Sequence, residues 1–347
     1  MQAGFLFCVT DLLLFLAPLE PATGSHCSRG FLFADAFSSV WKGPKTKELT
    51  VMKTLLIATQ KGGVGKSALL CQLAHYLHFI VQWRVLVIDL DDQANSSRSL
   101  ERAHKASALD ITASSLFMND ALDVGGDHPA FSVVKADDVL RRLVEQPEEL
   151  TRYHANLKRF LQTVTPSFDV CLIDCAPTSD LRTVYAQSVA DFMLSPIQLN
   201  QEAAEGVTET INGRRGVRRI QASFNPALRF IGILPNMVEQ TPLQQVNGRE
   251  VATHFAQYLV RDPAAPERLL VIPRRSAIAE AQAEGVPLWE LGKTKTAARD
   301  AWREVRPCFE AIVRHLQADV SPVAPVDLPD ASPGTQHETA HEVIHGA

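Results

Sequence analysis

The chain has 347 residues, a formal net charge of −5 and six cysteines. This length suffices for one α/β domain with additional segments, and the acidic balance excludes polyanion binding through overall charge, so any nucleic-acid contact needs a local basic patch. The cysteines are scattered and include no C-x-x-C pair, which gives no indication of a disulfide framework or a zinc ribbon.

Residues 1–51 differ in character from the rest of the chain. Their apolar run at Leu12–Ala17 is much shorter than the roughly 20 residues that span a bilayer. No Lys or Arg precedes Arg29, so the segment lacks the charged region of a signal peptide. We expect residues 1–51 to be a poorly ordered N-terminal extension, or to precede a true start at Met52, directly before the first predicted strand.

Apolar β-rich runs alternate with helical patterns beyond this segment. Strands are predicted near residues 53–59, 85–90, 169–174, 192–197, 229–235 and 268–272. Helices are predicted near residues 67–81, 136–146, 151–164, 202–222, 243–260, 276–283 and 294–318. Several strands are near-continuous Val, Ile and Leu runs, as in parallel sheets buried on both faces. The alternation therefore predicts an α/β fold, a doubly wound, mostly parallel sheet with helices on both faces.

One folded domain is predicted over residues 52–319. Residues 100–135 within it show no clear periodicity and receive no assignment. The following segment, residues 320–347, is rich in Pro, Ala, Asp and His and has little apolar surface to bury. Such a composition predicts a disordered tail.

The most specific motif is KGGVGKS at residues 61–67, between the first strand and the first helix. Glycines in such a loop let backbone N–H groups turn toward phosphates, and the helix N-terminus adds a positive dipole end. Lys66 would reach the β- and γ-phosphates of ATP, and the Ser67 hydroxyl would ligate Mg²⁺. The strict pattern has Gly at the position of Gln60. The predicted nucleotide contacts are Lys61, Gly62, Gly63, Val64, Gly65, Lys66, Ser67 and Ala68.

The lysine-led loop resembles the deviant Walker A box of the ParA/MinD ATPases, in which the leading lysine marks the family. Residues 85–95, VLVIDLDDQAN, resemble the family's switch I box, usually VDLDPQGN, and residues 168–177, FDVCLIDCAP, resemble its Walker B and switch II box. Residues 233–236 and 271–274 resemble two later blocks around the adenine. The blocks run in family order over residues 53–318, so the resemblance implies a P-loop NTPase of the deviant Walker A type.

The resemblance also implies roles for individual side chains in ATP hydrolysis. Phosphoryl transfer to water needs neutralised charge around the γ-phosphate and a water held in line. Lys66 and the loop amides would neutralise the charge around the γ-phosphate. Mg²⁺ would be held by Ser67, with Asp89 or Asp174 acting through waters of its shell, and Asp91 would orient the attacking water.

Lys61 would act across a dimer interface. In the family the leading lysine reaches the partner's phosphates, so that an ATP-bound homodimer sandwiches two nucleotides and hydrolysis releases it. Asn236 and Pro273 match positions that embrace the adenine. Two positions depart from the switch I box, with Asp92 in place of Pro and Ala94 in place of Gly, and we expect them to alter switch dynamics and rate more than nucleotide binding.

A basic cluster follows the fourth predicted strand, within the predicted helix at residues 202–222. On one helix its spacing would group the side chains on one broad side, which suits phosphate backbones without reading bases. The family binds DNA non-specifically in its ATP dimer. The candidate DNA-binding residues are therefore Arg214, Arg215, Arg218 and Arg219.

The resemblance implies a partner-stimulated, slow ATPase that partitions or positions DNA, as in plasmid or chromosome segregation. Its partners would be a second copy of the chain, non-specific DNA and a ParB-type centromere-binding protein, in the cytoplasm and on the nucleoid. A MinD-type membrane-associated positioning ATPase is an alternative. That class anchors through a basic amphipathic C-terminal helix, whereas no Lys or Arg follows Arg314. A biosynthetic ATP-dependent enzyme of the same fold is a less favoured alternative.

Overall fold

The computed structural model describes residues 51–144, 149–177 and 180–318. The predicted N-terminal extension, apart from Val51, and the predicted C-terminal tail lie outside these residues. Across the described ranges, no helix combines the length and the apolar composition that a membrane span requires.

A seven-stranded sheet forms the centre of the described chain, in the order β3-β4-β2-β5-β1-β6-β7. Every neighbouring pair in it is parallel. Its strands are β1 (Lys53–Ile57), β2 (Val85–Leu90), β3 (Ser107–Thr112), β4 (Phe131–Lys135), β5 (Val170–Cys175), β6 (Phe192–Ile197) and β7 (Arg229–Pro235). A separate antiparallel pair consists of β8 (Arg261–Asp262) and β9 (Ala265–Leu269).

Helices connect successive strands and cover both faces of the sheet. They are α1 (Lys66–His75), α2 (Asn95–Arg102), α3 (Ser115–Met118), α4 (Leu150–Val164), α5 (Leu181–Val189), α6 (Ala203–Asn212), α7 (Val217–Ser223), α8 (Pro242–Phe255), α9 (Ser276–Glu284), α10 (Leu288–Leu291) and α11 (Thr296–Gln317). A π-helix at Tyr76–Ile80 extends α1, and 3-10 helices lie at Asp138–Val144 and Ala256–Tyr258.

Alternate residues of the central strands enter two different hydrophobic cores. Leu55 and Ile57 of β1 pack with α1, α9 and α11 on one face, whereas Leu56 packs with α4 and α5 on the other. Because side chains alternate across a strand, a strand buried on both faces must be apolar throughout. The predicted doubly wound sheet is confirmed, and the carboxyl ends of its strands form one edge.

The structure differs from the predicted elements in several places. Residues 138–144 of the helix expected at 136–146 form a 3-10 helix, and α2, α5 and α10 were not predicted. Residues 100–135, left unassigned, contain β3 and β4. The predicted strand at 268–272 is replaced by β9, which ends at Leu269 and pairs outside the main sheet. The single helix expected at 202–222 is two helices, separated by residues 213–216. A Cβ at Gly213 would lie 2.3 Å from the Glu209 carbonyl oxygen, so the break there requires glycine.

Candidate nucleotide site

The loop between β1 and α1 places its glycines where other residues would be strained. Gly63 and Gly65 have φ of 73° and 76°, in the left-handed region that glycine adopts without steric cost. A Cβ on Gly65 would also lie 2.8 Å from the amide nitrogen of Asn236. The loop therefore needs Gly65 both for its backbone conformation and for close packing against the end of β7.

A cavity of about 840 Å³ opens beside this loop, within the usual range for small-molecule sites. Ten of the predicted site residues line it: Lys61, Gly63, Val64, Gly65, Lys66, Ser67, Ala68, Asp91, Asn236 and Pro273. Of the other predicted loop residues, Gly62 is exposed, and a Cβ there would lie 3.7 Å from the Pro177 ring. The sequence blocks around the loop, β2, β7 and Pro273 thus converge on one cavity.

Lys66 begins α1 and is almost fully buried, with 6% of its side chain exposed. Its Nζ donates to Asp174 Oδ1 at 2.9 Å. Burial lowers the pKa of Lys66, but the Asp174 carboxylate offsets this, and the net pKa is raised. Lys66 therefore stays positively charged at the cavity wall, as a lysine that neutralises phosphate must.

Asp89 and Asp174 end neighbouring strands and are Cα partners in the β2–β5 register. Both are fully buried. Burial, and then the charge of Asp174, raise the pKa of Asp89 to about 7. Ser96 donates its hydroxyl to Asp174 Oδ2 at 2.6 Å, and the Ser97 amide and hydroxyl each donate to Asp89 Oδ2 at 2.8 Å. These serines, which sequence reasoning missed, fasten the start of α2 to the strand ends.

The donor set at this edge fits Mg²⁺, which prefers oxygen ligands and keeps several waters beside one or two carboxylates and phosphates. Ser67 lines the cavity, whereas Asp89 and Asp174 do not. Asp174 contacts Lys66, which does line it, and Asp89 is the register partner of Asp174. In the described residues no three His, Cys, Asp or Glu side chains cluster as a dedicated metal cage. Mg²⁺ bound here would neutralise phosphate charge, with Ser67 as a direct ligand and the carboxylates acting through its waters.

Asp91 lies just beyond β2 and lines the cavity, although only 4% of it is exposed. Its Oδ1 accepts from the Gln93 amide at 3.0 Å, and its carbonyl accepts from the Ala94 amide at 2.8 Å, closing a turn. Ala94 has φ of 50°, a left-handed conformation that costs an alanine about 1–2 kcal/mol. This explains physically why the resembled box has Gly at that position.

Lys61 lies at the mouth of the cavity, 30% exposed. Its Nζ donates to the carbonyl of Glu202 at 3.1 Å and to that residue's carboxylate. Its aliphatic stem runs past Gly206, where an added Cβ would lie 3.4 Å from Lys61 Cε. Glu202 precedes α6 and was missed by sequence reasoning, since nothing near it in the chain indicates a lysine partner.

Asn236 and Pro273 also lie at the cavity. The Asn236 amide nitrogen donates to the Val64 carbonyl at 2.7 Å, and its Oδ1 accepts from the Met237 amide at 2.9 Å. Asn236 therefore holds the P-loop in this structure, and its carboxamide keeps a second N–H and a second lone pair that a base edge would be able to use. Pro273 forms a parallel bridge with Val238, which closes the same side of the cavity.

The four candidate DNA-binding arginines lie away from the cavity lining. Arg214 and Arg215 occupy the turn between α6 and α7, while Arg218 and Arg219 lie on α7. The prediction that one helix carries all four is therefore wrong, because the chain turns between the pairs. Arg218 donates to the Tyr258 hydroxyl at 2.6 Å.

Two arginines of α2, to which sequence reasoning gave no role, are among the residues that line the cavity. Arg98 and Arg102 lie one turn apart on α2. Arg98 donates to the carboxamide oxygen of Asn95 at 3.0 Å, and Arg102 donates to the Ala283 carbonyl. Their four-residue spacing was the available signal, but the helix itself was not predicted.

Comparison with known proteins agrees with this geometry. A family model described as an AAA domain matches residues 52–230. The chain is 36% identical over 275 residues to Protein IncC of Escherichia coli, covering 77% of this chain and 70% of that one. It is 30% identical over 237 residues to the chromosome-partitioning ATPase Soj of Treponema pallidum, covering 68% and 88%.

The fold also matches cobyrinic acid a,c-diamide synthase of Mycobacterium smegmatis with bound ATP analogue and magnesium. The TM-score is 0.58 at 24% identity, covering 76% of this chain and 95% of that one, a likeness that shows the shared fold alone. The sequence comparisons go further, since the family model spans the P-loop and both carboxylate-bearing strand ends, and the two relatives match over most of each protein. The chain belongs to the ParA-type partition ATPases of the ParA/MinD superfamily.

Proposed function

We propose that the protein hydrolyses ATP slowly and uses ATP-dependent homodimerisation to partition or position DNA. The observation that carries the proposal is one cavity lined by two lysines of one loop, with Lys66 held by Asp174 inside and Lys61 at the mouth. A loop that only binds its own nucleotide would need Lys66 alone. Lys61 would bind phosphates when a second subunit brings its own nucleotide to the cavity mouth.

The surroundings of Lys61 support a role across an interface. Its ion pair with Glu202 is solvent-exposed, and exposed pairs contribute little to stability. Exchanging that carboxylate for a partner's phosphates therefore costs little, because the new hydrogen bonds are also charge-assisted and a triphosphate offers several charged oxygens. ATP would in this way act as the switch between monomer and dimer.

The arginines near α7 support contact with DNA. Arg214 and Arg218 are exposed, and a local basic patch on an acidic protein attracts phosphate backbones regardless of base sequence. A ParB-type partner would stimulate hydrolysis and so release the dimer from DNA. Such cycling places the protein in the cytoplasm and on the nucleoid.

The test is binding to a random-sequence DNA duplex with ATP, with ADP and without nucleotide. We expect binding with ATP alone, and the Arg214→Gln/Arg218→Gln double variant should bind at least about tenfold more weakly with a flatter salt dependence. Arg303→Gln is a matched control, because Arg303 is exposed on α11, away from the basic turn. Equal DNA binding with ATP, with ADP and without nucleotide would contradict the proposal. Unchanged DNA affinity in the double variant would exclude Arg214 and Arg218 as DNA contacts.

A further inference from the structure

A buried guanidinium joins the turn after β2 to the start of α5, the helix that follows β5. Arg182, in the first turn of α5, has only 7% of its side chain exposed. Its Nη1 donates to Asp92 Oδ1 at 2.8 Å, and its Nη2 and Nε donate to Asp180 Oδ2 at 2.6 and 2.9 Å. Asp92 and Asp180 are themselves 14% and 12% exposed.

The two ends of this bridge lie on segments that follow different strands of the sheet, β2 and β5. Asp92 directly follows Asp91, in the turn after β2. Asp180 caps α5 by accepting from the Arg182 amide at 2.9 Å, in the segment that leaves β5 after Asp174. The bridge therefore joins the turn beyond the candidate water-orienting carboxylate to the start of α5, the helix that follows β5.

The sequence around Asp92 suggests why such a bridge is needed. The resembled switch I box has Pro here, and this residue is the second of the four-residue turn closed by the Asp91 carbonyl and the Ala94 amide. Proline is favoured at that position because its ring fixes φ. Aspartate imposes no such restraint. The conformation of the turn that carries Asp91 therefore depends on the position in which Arg182 holds Asp92.

Asp92 has two arginine partners, and they differ in solvent exposure: Arg182 is buried and Arg141 is exposed. Arg141 Nε donates to Asp92 Oδ2 at 2.7 Å, but 61% of the Arg141 side chain is exposed. Removing one partner of a buried charge pair leaves an uncompensated charge, whereas an exposed partner is replaced by water. Arg182 is thus the member of the group that fixes the turn, and Arg141 is the natural control.

We propose that Arg182 is a positioning residue for ATP hydrolysis, which holds the Asp91 turn in place through Asp92 and couples it to the start of α5. The inference rests on the proposed ATPase activity. Arg182 lies outside the cavity lining, so its influence on hydrolysis would pass through Asp92. Its loss should therefore slow the chemical step and leave nucleotide affinity nearly unchanged, since a displacement of about 1 Å in a reacting group can cost about 100-fold in rate.

The experiment compares single-turnover hydrolysis of radiolabelled ATP with binding of a fluorescent ATP analogue. Arg182→Gln should hydrolyse ATP at least about tenfold more slowly while its Kd for the analogue stays within about twofold. Arg141→Gln should hydrolyse ATP within about twofold of the parent rate. Arg182→Lys, which restores the charge without the planar fork, should recover part of the rate.

A second variant separates positioning from general stability. The Asp92→Pro/Arg182→Leu double variant removes the bridge and restrains the turn locally, so it should hydrolyse ATP faster than Arg182→Gln. An Arg182→Gln rate equal to the parent rate would overturn the proposal. The proposal would also be overturned if Arg182→Gln lost rate, analogue affinity and melting temperature together, and the Asp92→Pro/Arg182→Leu double variant showed the same losses. Hydrolysis by the parent protein tests the proposed function, whereas the ratio of variant to parent tests the bridge.

Discussion

The two ends of the P-loop hold a lysine in opposite environments. Lys66 is 6% exposed, and its partner Asp174 is fully buried, whereas Lys61 is 30% exposed and its partner Glu202 is 64% exposed. Breaking a buried pair leaves a charge without solvent, but an exposed pair exchanges partners with water at little cost. One loop thus combines a cation fixed to its own cavity with a cation that is able to change partners.

The largest predicted effect comes from the buried end. Lys66→Ala should weaken ATP-analogue binding at least about 100-fold, because charge-assisted hydrogen bonds contribute about 1.5–3 kcal/mol each. It should also lower the free energy of unfolding by about 3 kcal/mol, since Asp174 is left buried beside Asp89. Fluorescence titration and urea unfolding measure the two effects. Lys61→Ala is the matched control, and retained ATP affinity in Lys66→Ala would contradict the P-loop assignment.

A second prediction extends the contrast to a buried histidine. His75 on α1 is fully buried, its ring nitrogens have no hydrogen-bond partner, and burial, aided by Lys105 and His78, lowers its pKa to about 3. An unfolded histidine has a pKa of about 6.5, so the unfolded state binds more protons between pH 6.5 and pH 3. Stability should therefore fall as the pH falls through this window, by about 2 kcal/mol from this group at pH 5.

The test is the free energy of unfolding in urea at pH 7 and pH 5. In His75→Leu the loss between the two pH values should be smaller by about 2 kcal/mol than in the parent protein. His254→Gln, at an exposed position on α8, should not change the loss. An equal loss in His75→Leu and the parent would show that other groups dominate the acid sensitivity.

The smallest effect on stability is predicted at the exposed end. Lys61→Gln and Glu202→Gln should leave the midpoint of thermal unfolding unchanged, because water replaces either partner. The two variants should nevertheless differ in assembly. Light scattering with a slowly hydrolysed ATP analogue should show a dimer for Glu202→Gln and a monomer for Lys61→Gln, and an ordinary dimer of Lys61→Gln would refute the role across the interface.

The central strands could be predicted because burial on both faces leaves an apolar run in the sequence. β1, β2 and β5 have such runs and lie in the middle of the sheet. β3 forms one edge, and its residues are exposed or half-buried throughout, so no apolar pattern marks it. The break between α6 and α7 also escaped prediction, because it is marked by two glycines, Gly213 and Gly216, rather than by a change in hydropathy.

The sequence alone determined the phosphate loop, since Gly63, Gly65 and Lys66 act through backbone conformation and a helix start that neighbouring residues specify. The sequence also showed which strands end in a carboxylate, namely β2 with Asp89 and β5 with Asp174. Only the tertiary structure decided the partners of these charges: Glu202 lies 141 residues beyond Lys61, and Arg182 lies 90 residues beyond Asp92. The physical reason is that a long-range ion pair leaves no local pattern, because it depends on which strand ends the folded sheet brings together.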